Sequence, residues 1–285
     1  MTAAELLADP LTLLISTLIL GLLVGSFLNV VIARLPVMLE TQWRSDCQEF
    51  LQITREEGPR ETFNLVVPRS RCPQCGHQIT ALENVPVLSY LVLRGRCSQC
   101  GTGISLQYPL VEVVTGALSA FAAWQFGLTW ATGAALLFTW SLVALTVIDL
   151  HHQLLPDTIV FPLLWLGLLL SPLVLFSDPV SSIFGAALGY LALWSVYWAF
   201  KLLTGKEGMG YGDFKLLAAI GAWLGWQNLP LTILIASATG AVIGVTLTLL
   251  GRHQRGAPIP FGPFLAAGGW CALMWGTDLN ALYLG

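Results

Sequence analysis

Long apolar runs separated by short polar or turn-rich segments dominate this chain. The runs lie at about 11–33, 109–127, 130–150, 157–176, 179–203, 213–227, 229–250 and 260–282. Most have the roughly 20 residues that an α-helix needs to cross a ~30 Å hydrocarbon core. The run at 213–227 is shorter, so we expect it to thin the bilayer or to begin below its surface. The pattern predicts an all-α polytopic membrane protein with about eight transmembrane helices.

Composition supports this class of protein. The mean hydropathy is +0.73, and 55% of the residues are apolar while 10% are charged. The formal net charge of −3 gives no sign of a nucleic-acid partner. The predicted surroundings of the chain are therefore a lipid bilayer.

The basic residues predict the orientation in the membrane. All thirteen lie on one side of the predicted topology: eight arginines from Arg34 to Arg96, then Lys201, Lys206, Lys215, Arg252 and Arg255. Basic residues concentrate in cytoplasmic loops. We therefore expect a multi-pass protein of the bacterial cytoplasmic (inner) membrane with its N-terminus outside.

The apolar runs also predict the domain organisation. Residues 1–36 hold the first transmembrane helix, residues 37–108 form a cytoplasmic domain, and residues 109–285 form a transmembrane core. The first part of the cytoplasmic domain, up to Pro59, has a loosely helical pattern. We expect it to lie along the membrane or to pack on the rest of the domain.

The cytoplasmic domain contains a short duplication with metal-binding spacing. Its two copies are Arg71-Cys72-Pro73-Gln74-Cys75-Gly76 and Arg96-Cys97-Ser98-Gln99-Cys100-Gly101. Two such knuckles supply four thiolates for one tetrahedral Zn²⁺, and four protein ligands are typical of a structural site. Two disulfides are the alternative, but the cytoplasm keeps thiols reduced. We expect His77 at the surface and Cys47 and Cys271 unpaired.

Two aspartates at predicted helix ends are candidates for catalysis. Asp149 ends one apolar run, and Asp213 ends Gly208-Met209-Gly210-Tyr211-Gly212 and opens another run. Carboxylates at membrane depth are costly and usually functional. The helix ends and the apolar surroundings of Asp149 predict a pair that shares a proton, with Asp149 protonated and Asp213 ionised. Gly210 and Gly212 would let a substrate approach this loop closely.

Helix capping is the alternative role for aspartates near helix starts. Asp157 follows Pro156 and precedes an apolar run, so an N-cap is the expected role there. Asp213 could also be an N-cap. At membrane depth, Glu112 and Asn29 could belong to a functional site or form hydrogen bonds between packed helices.

Together these motifs resemble the type IV prepilin peptidases, which are bifunctional leader peptidases and N-methyltransferases of the GxGD aspartic protease class. The similarity extends from Gly25-Ser26-Phe27-Leu28-Asn29 through Tyr108-Pro109-Leu110-Val111-Glu112 to the last helix. It implies that Asp149 and Asp213 are the catalytic pair of a protease core at 109–285. It also implies a zinc site at Cys72, Cys75, Cys97 and Cys100.

The resemblance further implies the substrates and the methyl donor. The substrates would be type IV prepilins and the pseudopilins of type II secretion. Their leader is cut on the cytoplasmic side after a glycine, and the new N-terminal residue is methylated with S-adenosylmethionine. No nucleotide-binding fingerprint is present, so the sequence leaves the methyl-donor site open, with Glu112 as a weak candidate.

Two other functions are compatible with parts of the sequence. A proton-coupled transporter could use Asp149 and Asp213 as proton carriers and the glycine-rich stretch as a broken helix. A zinc-dependent membrane assembly factor would account for the cysteines but would leave both carboxylates unexplained.

Overall fold

The computed structural model describes residues 9–52, 63–251 and 259–284, and for 282–284 the backbone alone. These residues form helices, turns and two isolated β-bridges, with no strand among them. The α-helices are α1 (Pro10–Phe50), α2 (Leu88–Val92), α3 (Gln107–Phe126), α4 (Trp130–His152), α5 (Asp157–Leu170), α6 (Pro179–Thr204), α7 (Tyr211–Leu224), α8 (Leu229–Leu249) and α9 (Gly262–Leu284). The predicted all-α fold class is confirmed.

Every predicted apolar run forms a helix. Among the described residues, five segments are long and apolar enough to cross a membrane: α1, α3, α4, α6 and Trp226–Leu249. α5 and α7 have 14 residues each, and α9 has 23. At 1.5 Å per residue, 14 residues span about 21 Å, which is less than a typical hydrocarbon core. The protein is therefore a helical membrane protein, and the number of eight spans stays a prediction.

The predicted orientation also stays a prediction. Some of the basic residues on which it depends lie outside the described residues, namely Arg55, Arg60, Arg252 and Arg255.

The chain divides into two compact units, Met1–Leu128 and Thr129–Gly285. In the first unit, α1 packs along α3. Gly21 and Gly25 make this packing close, because a Cβ at Gly25 would lie 2.7 Å from the Cα of Glu112. Small residues at such contacts let membrane helices approach each other. The structure thus groups α3 with the first helix, whereas the sequence division placed the run beginning at 109 in the core.

α1 is much longer than its predicted apolar run at 11–33. It continues through Pro36 to Phe50, for 41 residues in all. A helix of that length spans about 60 Å, roughly twice the hydrocarbon core. The helical pattern after Val37 is therefore confirmed up to Phe50. The rest of that segment, residues 53–62, lies outside the described residues.

The second unit is built around α7. Phe214 and every residue from Leu216 to Leu224 are buried, and α7 packs on α5, α6 and α9. Gly221 of α7 lies directly against Gly185 of α6, where a Cβ on either would collide with backbone. α7 is thus held on several sides, and its first turn carries Asp213.

Candidate functional site

The structure brings the two predicted catalytic aspartates together in the second unit. Asp149 lies in the last turn of α4, and Asp213 lies in the first turn of α7. Their exposed fractions are 5% and 8%, and the carboxyl groups are close enough to interact electrostatically. Gly210 is the N-cap residue of α7, so the capping alternative for Asp213 is wrong.

Gly262, at the start of α9, holds the Asp149 carboxylate. Its N–H donates a hydrogen bond of 3.0 Å to Oδ2 of Asp149. A Cβ at position 262 would lie 2.5 Å from that oxygen, so the contact requires glycine. The sequence interpretation missed this residue. Its one local signal is a glycine before Pro263 at the start of an apolar run.

The added donor changes the argument about proton sharing. The sequence argument assigned the proton to Asp149 from its helix end and its apolar surroundings, without a hydrogen bond from Gly262. A hydrogen bond donated to the Asp149 carboxylate favours its ionised form. This offsets the C-terminal end of α4, which disfavours a negative charge. The unequal roles of the two aspartates therefore stay a prediction.

The predicted glycine loop is positioned by Leu155, which lies in the turn after α4. A Cβ at Gly212 would be 2.9 Å from the Leu155 Cβ, so Gly212 gives Leu155 room against the start of α7. A Cβ at Gly210 would lie 3.9 Å from its nearest neighbour, Oδ2 of Asp213. Packing therefore explains Gly212, and it leaves Gly210 with open space beside an aspartate.

An ion pair joins the chain segments that follow the two aspartates. Lys215 Nζ lies 2.8 Å from both carboxylate oxygens of Asp157 and 5.2 Å from the centre of the Phe161 ring. Asp157 is the first residue of α5 and its side chain makes no capping bond, since the N-cap residue is Pro156. The N-cap role expected for Asp157 is therefore wrong. Its carboxylate instead links α5 to α7.

A second polar contact holds the loop before α7. Lys201, in the last turn of α6, donates hydrogen bonds to Glu207 at 2.8 Å and to the Tyr197 hydroxyl at 3.2 Å. The Tyr197 ring is buried and contacts Tyr211 and Phe214 at centroid distances of 5.3 and 5.6 Å. The loop that ends at Asp213 is thus bound to α6 through both charge and aromatic packing.

The four knuckle cysteines come together in the first unit. Their sulfur atoms all lie within 4.8 Å of one another, with Cys72 3.7 Å from Cys100 and Cys75 3.9 Å from Cys97. A tetrahedral zinc with Zn–S bonds of about 2.3 Å places its sulfurs roughly 3.8 Å apart. The donor set therefore fits one zinc ion, and the four thiols are free rather than paired as disulfides.

The two knuckles have the same backbone pattern. In each, a glycine with φ near +70° follows the second cysteine: Gly76 at 72° and Gly101 at 71°. The N–H of the first cysteine donates 2.8 Å bonds to matching carbonyls, those of His77 and Thr102. The duplication seen in the sequence is thus a structural repeat.

Glu83 connects the two knuckles. Its carboxylate accepts hydrogen bonds from Ser98 and from the N–H and hydroxyl of Thr80, and it contacts His77 at 3.2 Å. The Ser98 hydroxyl, followed by Thr80, lowers the pKa of Glu83 to about 2. His77 pairs with Glu83 and lies outside the cysteine cluster.

Glu112 and Asn29 are both buried in the first unit. The Asn29 side-chain amide donates to the Tyr108 carbonyl at 3.0 Å, as expected for a hydrogen bond between packed helices. Glu112 accepts a bond of 2.8 Å from the backbone N–H of Val87.

Comparison with known proteins assigns both halves of the chain. The model of the bacterial peptidase A24 N-terminal domain matches residues 19–126. The model of the type IV leader peptidase family matches residues 136–245, which include Asp149 and Asp213. No solved structure matches the chain.

Curated relatives match over nearly the full length. The prepilin leader peptidase/N-methyltransferase of Stutzerimonas stutzeri is 56% identical over 285 residues, covering 100% of this chain and 98% of the relative. The protein of that name from Pseudomonas aeruginosa is 55% identical, covering 98% and 96%. The one from Dichelobacter nodosus is 48% identical, covering 99% and 98%. This chain therefore belongs to the type IV leader peptidase family.

Proposed function

We propose that this protein is a membrane-embedded aspartic endopeptidase that removes the leader of type IV prepilins and then N-methylates the new N-terminal residue. The observation that carries the proposal is the buried pair of Asp149 and Asp213, placed at helix ends within the segment that matches the leader peptidase family. The relatives' names support both activities. Nothing in those names favours a transporter or an assembly factor.

The geometry supports an aspartic mechanism in which the pair shares one proton. One carboxylate takes a proton from a water molecule, whose oxygen attacks the carbonyl carbon of the scissile peptide. The other carboxylic acid protonates the carbonyl oxygen. As the intermediate collapses, the C–N bond breaks and the leaving nitrogen takes up a proton. Gly262 keeps Asp149 in place, and the open side of Gly210 gives the substrate backbone room.

Zinc and S-adenosylmethionine have different roles in this proposal. One zinc per chain, held by Cys72, Cys75, Cys97 and Cys100, would stabilise the cytoplasmic domain, because metal binding by such sites is coupled to folding. S-adenosylmethionine would supply the methyl group for the new N-terminus. The zinc domain takes no part in peptide cleavage.

Substrate and location follow the same reasoning. A prepilin is itself a membrane helix with a basic leader, so its scissile bond would reach carboxylates at the cytoplasmic end of α4 and α7. The positive-inside pattern supports an active site that faces the cytoplasm in the bacterial inner membrane. We extend the proposed substrates to the pseudopilins of type II secretion, which present the same kind of leader.

Cleavage of a purified prepilin tests the catalytic pair. Asp149→Asn and Asp213→Asn should each lower the rate at least about 100-fold, the usual contribution of a positioned acid or base. Asp278→Asn, which changes an exposed aspartate of α9, is the matched control and should cleave normally. All three variants should keep their zinc. The cleavage rate of the native protein should follow a bell-shaped pH profile. Its two sides reflect titration of the coupled pair and not of either aspartate alone. Near-normal cleavage by either Asn variant at the pair would contradict the mechanism.

A further inference from the structure

A buried polar cluster lies where α1 meets α3 in the first unit. Its side chains are Ser26 and Asn29 of α1 and Glu112 of α3, with exposed fractions of 9%, 6% and 8%. Ser26 and Asn29 are about one helical turn apart, as are Tyr108 and Glu112 on the facing helix. The proposed cleavage does not use any of these groups. We refer to them as the Asn29–Glu112 cluster.

Asn29 has a buried acceptor without a donor. Its Nδ2 donates to the Tyr108 carbonyl at 3.0 Å, which fixes the orientation of the amide. Oδ1 is fully buried and has no hydrogen-bond partner among the described residues. Nearly all buried polar atoms in proteins are paired, so an unpaired acceptor indicates a missing donor.

Glu112 is a buried acid without a basic partner in the part of the chain that the structure describes. Its carboxylate accepts the Val87 N–H at 2.8 Å and interacts with the Ser26 hydroxyl. None of the ion pairs between described residues includes it. A buried carboxyl stays ionised only where a cation or hydrogen-bond donors compensate its charge. The cluster therefore offers a carboxylate and an amide oxygen from adjacent turns of facing helices.

The backbone next to this cluster is strained. Val87 has φ of 60° and ψ of −47°, a positive φ that is a genuine outlier for a β-branched residue. Its N–H is the group that binds Glu112. Strained backbone persists where the surroundings enforce it, and it is concentrated at functional sites.

We propose that the Asn29–Glu112 cluster binds an ammonium group, with the carboxylate pairing its charge and Oδ1 of Asn29 accepting one of its N–H bonds. The inference rests on the proposed function, which provides two such ligands. One is the amino-acid portion of S-adenosylmethionine, and the other is the free N-terminus of the cleaved pilin. A water molecule would satisfy Oδ1 but would leave the carboxylate without a cation.

Direct binding to the full-length protein in detergent tests this assignment. One arm measures radiolabelled S-adenosylmethionine by equilibrium dialysis. The other measures a fluorescent peptide that begins with a free phenylalanine amine, against the same peptide N-acetylated. Glu112→Gln should raise the Kd of the ligand that uses the site at least about tenfold, as expected for a hydrogen bond to a charged group. Glu40→Gln, which changes an exposed acid of α1, should leave both Kd values unchanged.

Asn29→Leu is the second variant. It distinguishes ligand binding from a purely structural role of Asn29, because Kd and melting temperature are both measured. Leucine removes the unpaired acceptor together with the bond from Nδ2 to the Tyr108 carbonyl. These two losses have opposite effects on stability, so the melting temperature should change little, while the Kd of the same ligand rises about threefold or more. A lower melting temperature with unchanged Kd would indicate a packing network and overturn the proposal. Native Kd values for both ligands in Glu112→Gln would also overturn it.

Leader cleavage by the same preparations separates the two proposals. Native protein that neither cleaves a prepilin nor methylates it would contradict the proposed function. Variants that cleave normally and keep their zinc are folded, so their binding results bear on the cluster alone. If Glu112→Gln fails to cleave, Asn29→Leu decides the outcome.

Discussion

Glycines determine how closely other groups approach the two aspartates. Gly262 brings a helix N-terminus onto the Asp149 carboxylate, and Gly212 gives Leu155 room against α7. Neither glycine adopts a positive φ. What both positions require is the absence of a Cβ.

Gly262→Ala should therefore damage the active site directly. The new methyl group would collide with Oδ2 of Asp149 and displace it. We expect a loss of stability of about 1–3 kcal/mol from overpacking and a fall in prepilin cleavage of roughly 100-fold from misplacement of the carboxylate. Thermal unfolding and cleavage kinetics measure the two effects.

Gly133→Ala is the matched control for this change. It lies in α4, and a Cβ there meets no atom within 4 Å, so both stability and cleavage should be retained. Full activity of Gly262→Ala would contradict the role assigned to the Gly262 contact.

At the level of helices, ion pairs and hydrogen bonds connect segments that are far apart in the chain. Lys215 and Asp157 join α7 to α5, with exposed fractions of 27% and 49% for their side chains. A pair this exposed contributes less than about 1 kcal/mol to stability. Its expected importance lies in the alignment of α7, which carries Asp213, with α5, which follows Asp149 in the chain.

Lys215→Met and Asp157→Asn should separate alignment from stability. We expect cleavage to fall roughly 10- to 100-fold while the melting temperature changes little, because the pair is partly solvated. The charge-reversed double variant, Lys215→Asp with Asp157→Lys, should recover part of the lost rate. Lys206→Met, which removes an exposed lysine before α7, is the control and should cleave normally. Equal losses in the single and double variants would contradict a role for the pair.

Glu83 makes a comparable connection between the two cysteine knuckles. Glu83→Gln should speed the release of zinc to a chelator, because the bonds from Ser98 and Thr80 to a charged acceptor are weakened. The pKa of this carboxyl falls from its usual 4.5 to about 2 on folding. The stabilisation it provides is therefore complete above about pH 4.5 and is lost as the pH falls toward 2.

The difference in zinc-release rate between the native protein and Glu83→Gln should accordingly be largest near neutral pH and become smaller in acid. Zinc release followed with a colorimetric chelator at several pH values measures it. Glu49→Gln, an exposed acid of α1, should release zinc at the native rate. A pH-independent difference would contradict the role of the charged form.

The apolar runs of the sequence predicted the helices well. Contacts between segments that are distant in the chain could not be predicted. The run at 130–150 became Trp130–His152, and the run at 229–250 became Leu229–Leu249. The knuckle spacing alone predicted the cysteine cluster. In contrast, Gly262 meets Asp149 across 113 positions, and no local pattern indicates which helices become neighbours. The sequence predicted the apolar run at 11–33 and a helical pattern after Val37 separately. It did not show that the two form one continuous helix through Pro36.

At the scale of the whole molecule, the topology makes a prediction that labelling can check. In a Cys271→Ser background, native Cys47 is exposed on α1 and should react with a membrane-impermeant maleimide after cells are permeabilised. Asp278→Cys, on an exposed position of α9, should react in intact cells. Cys47→Ser is the control for labelling at position 47. Labelling of Cys47 in intact cells would contradict a cytoplasmic active site.

The position of the cysteine repeat in the chain has a consequence for the order in which the protein is made. All four knuckle cysteines lie between α1 and α3, and the second knuckle ends at Gly101, before the first residue of α3 at Gln107. A ribosome therefore completes the metal site when only one long helix has been synthesised. If the proposed zinc site forms as it is made, metal starvation during translation would leave the two knuckles without their ion while the helices that carry the aspartates are still to be inserted.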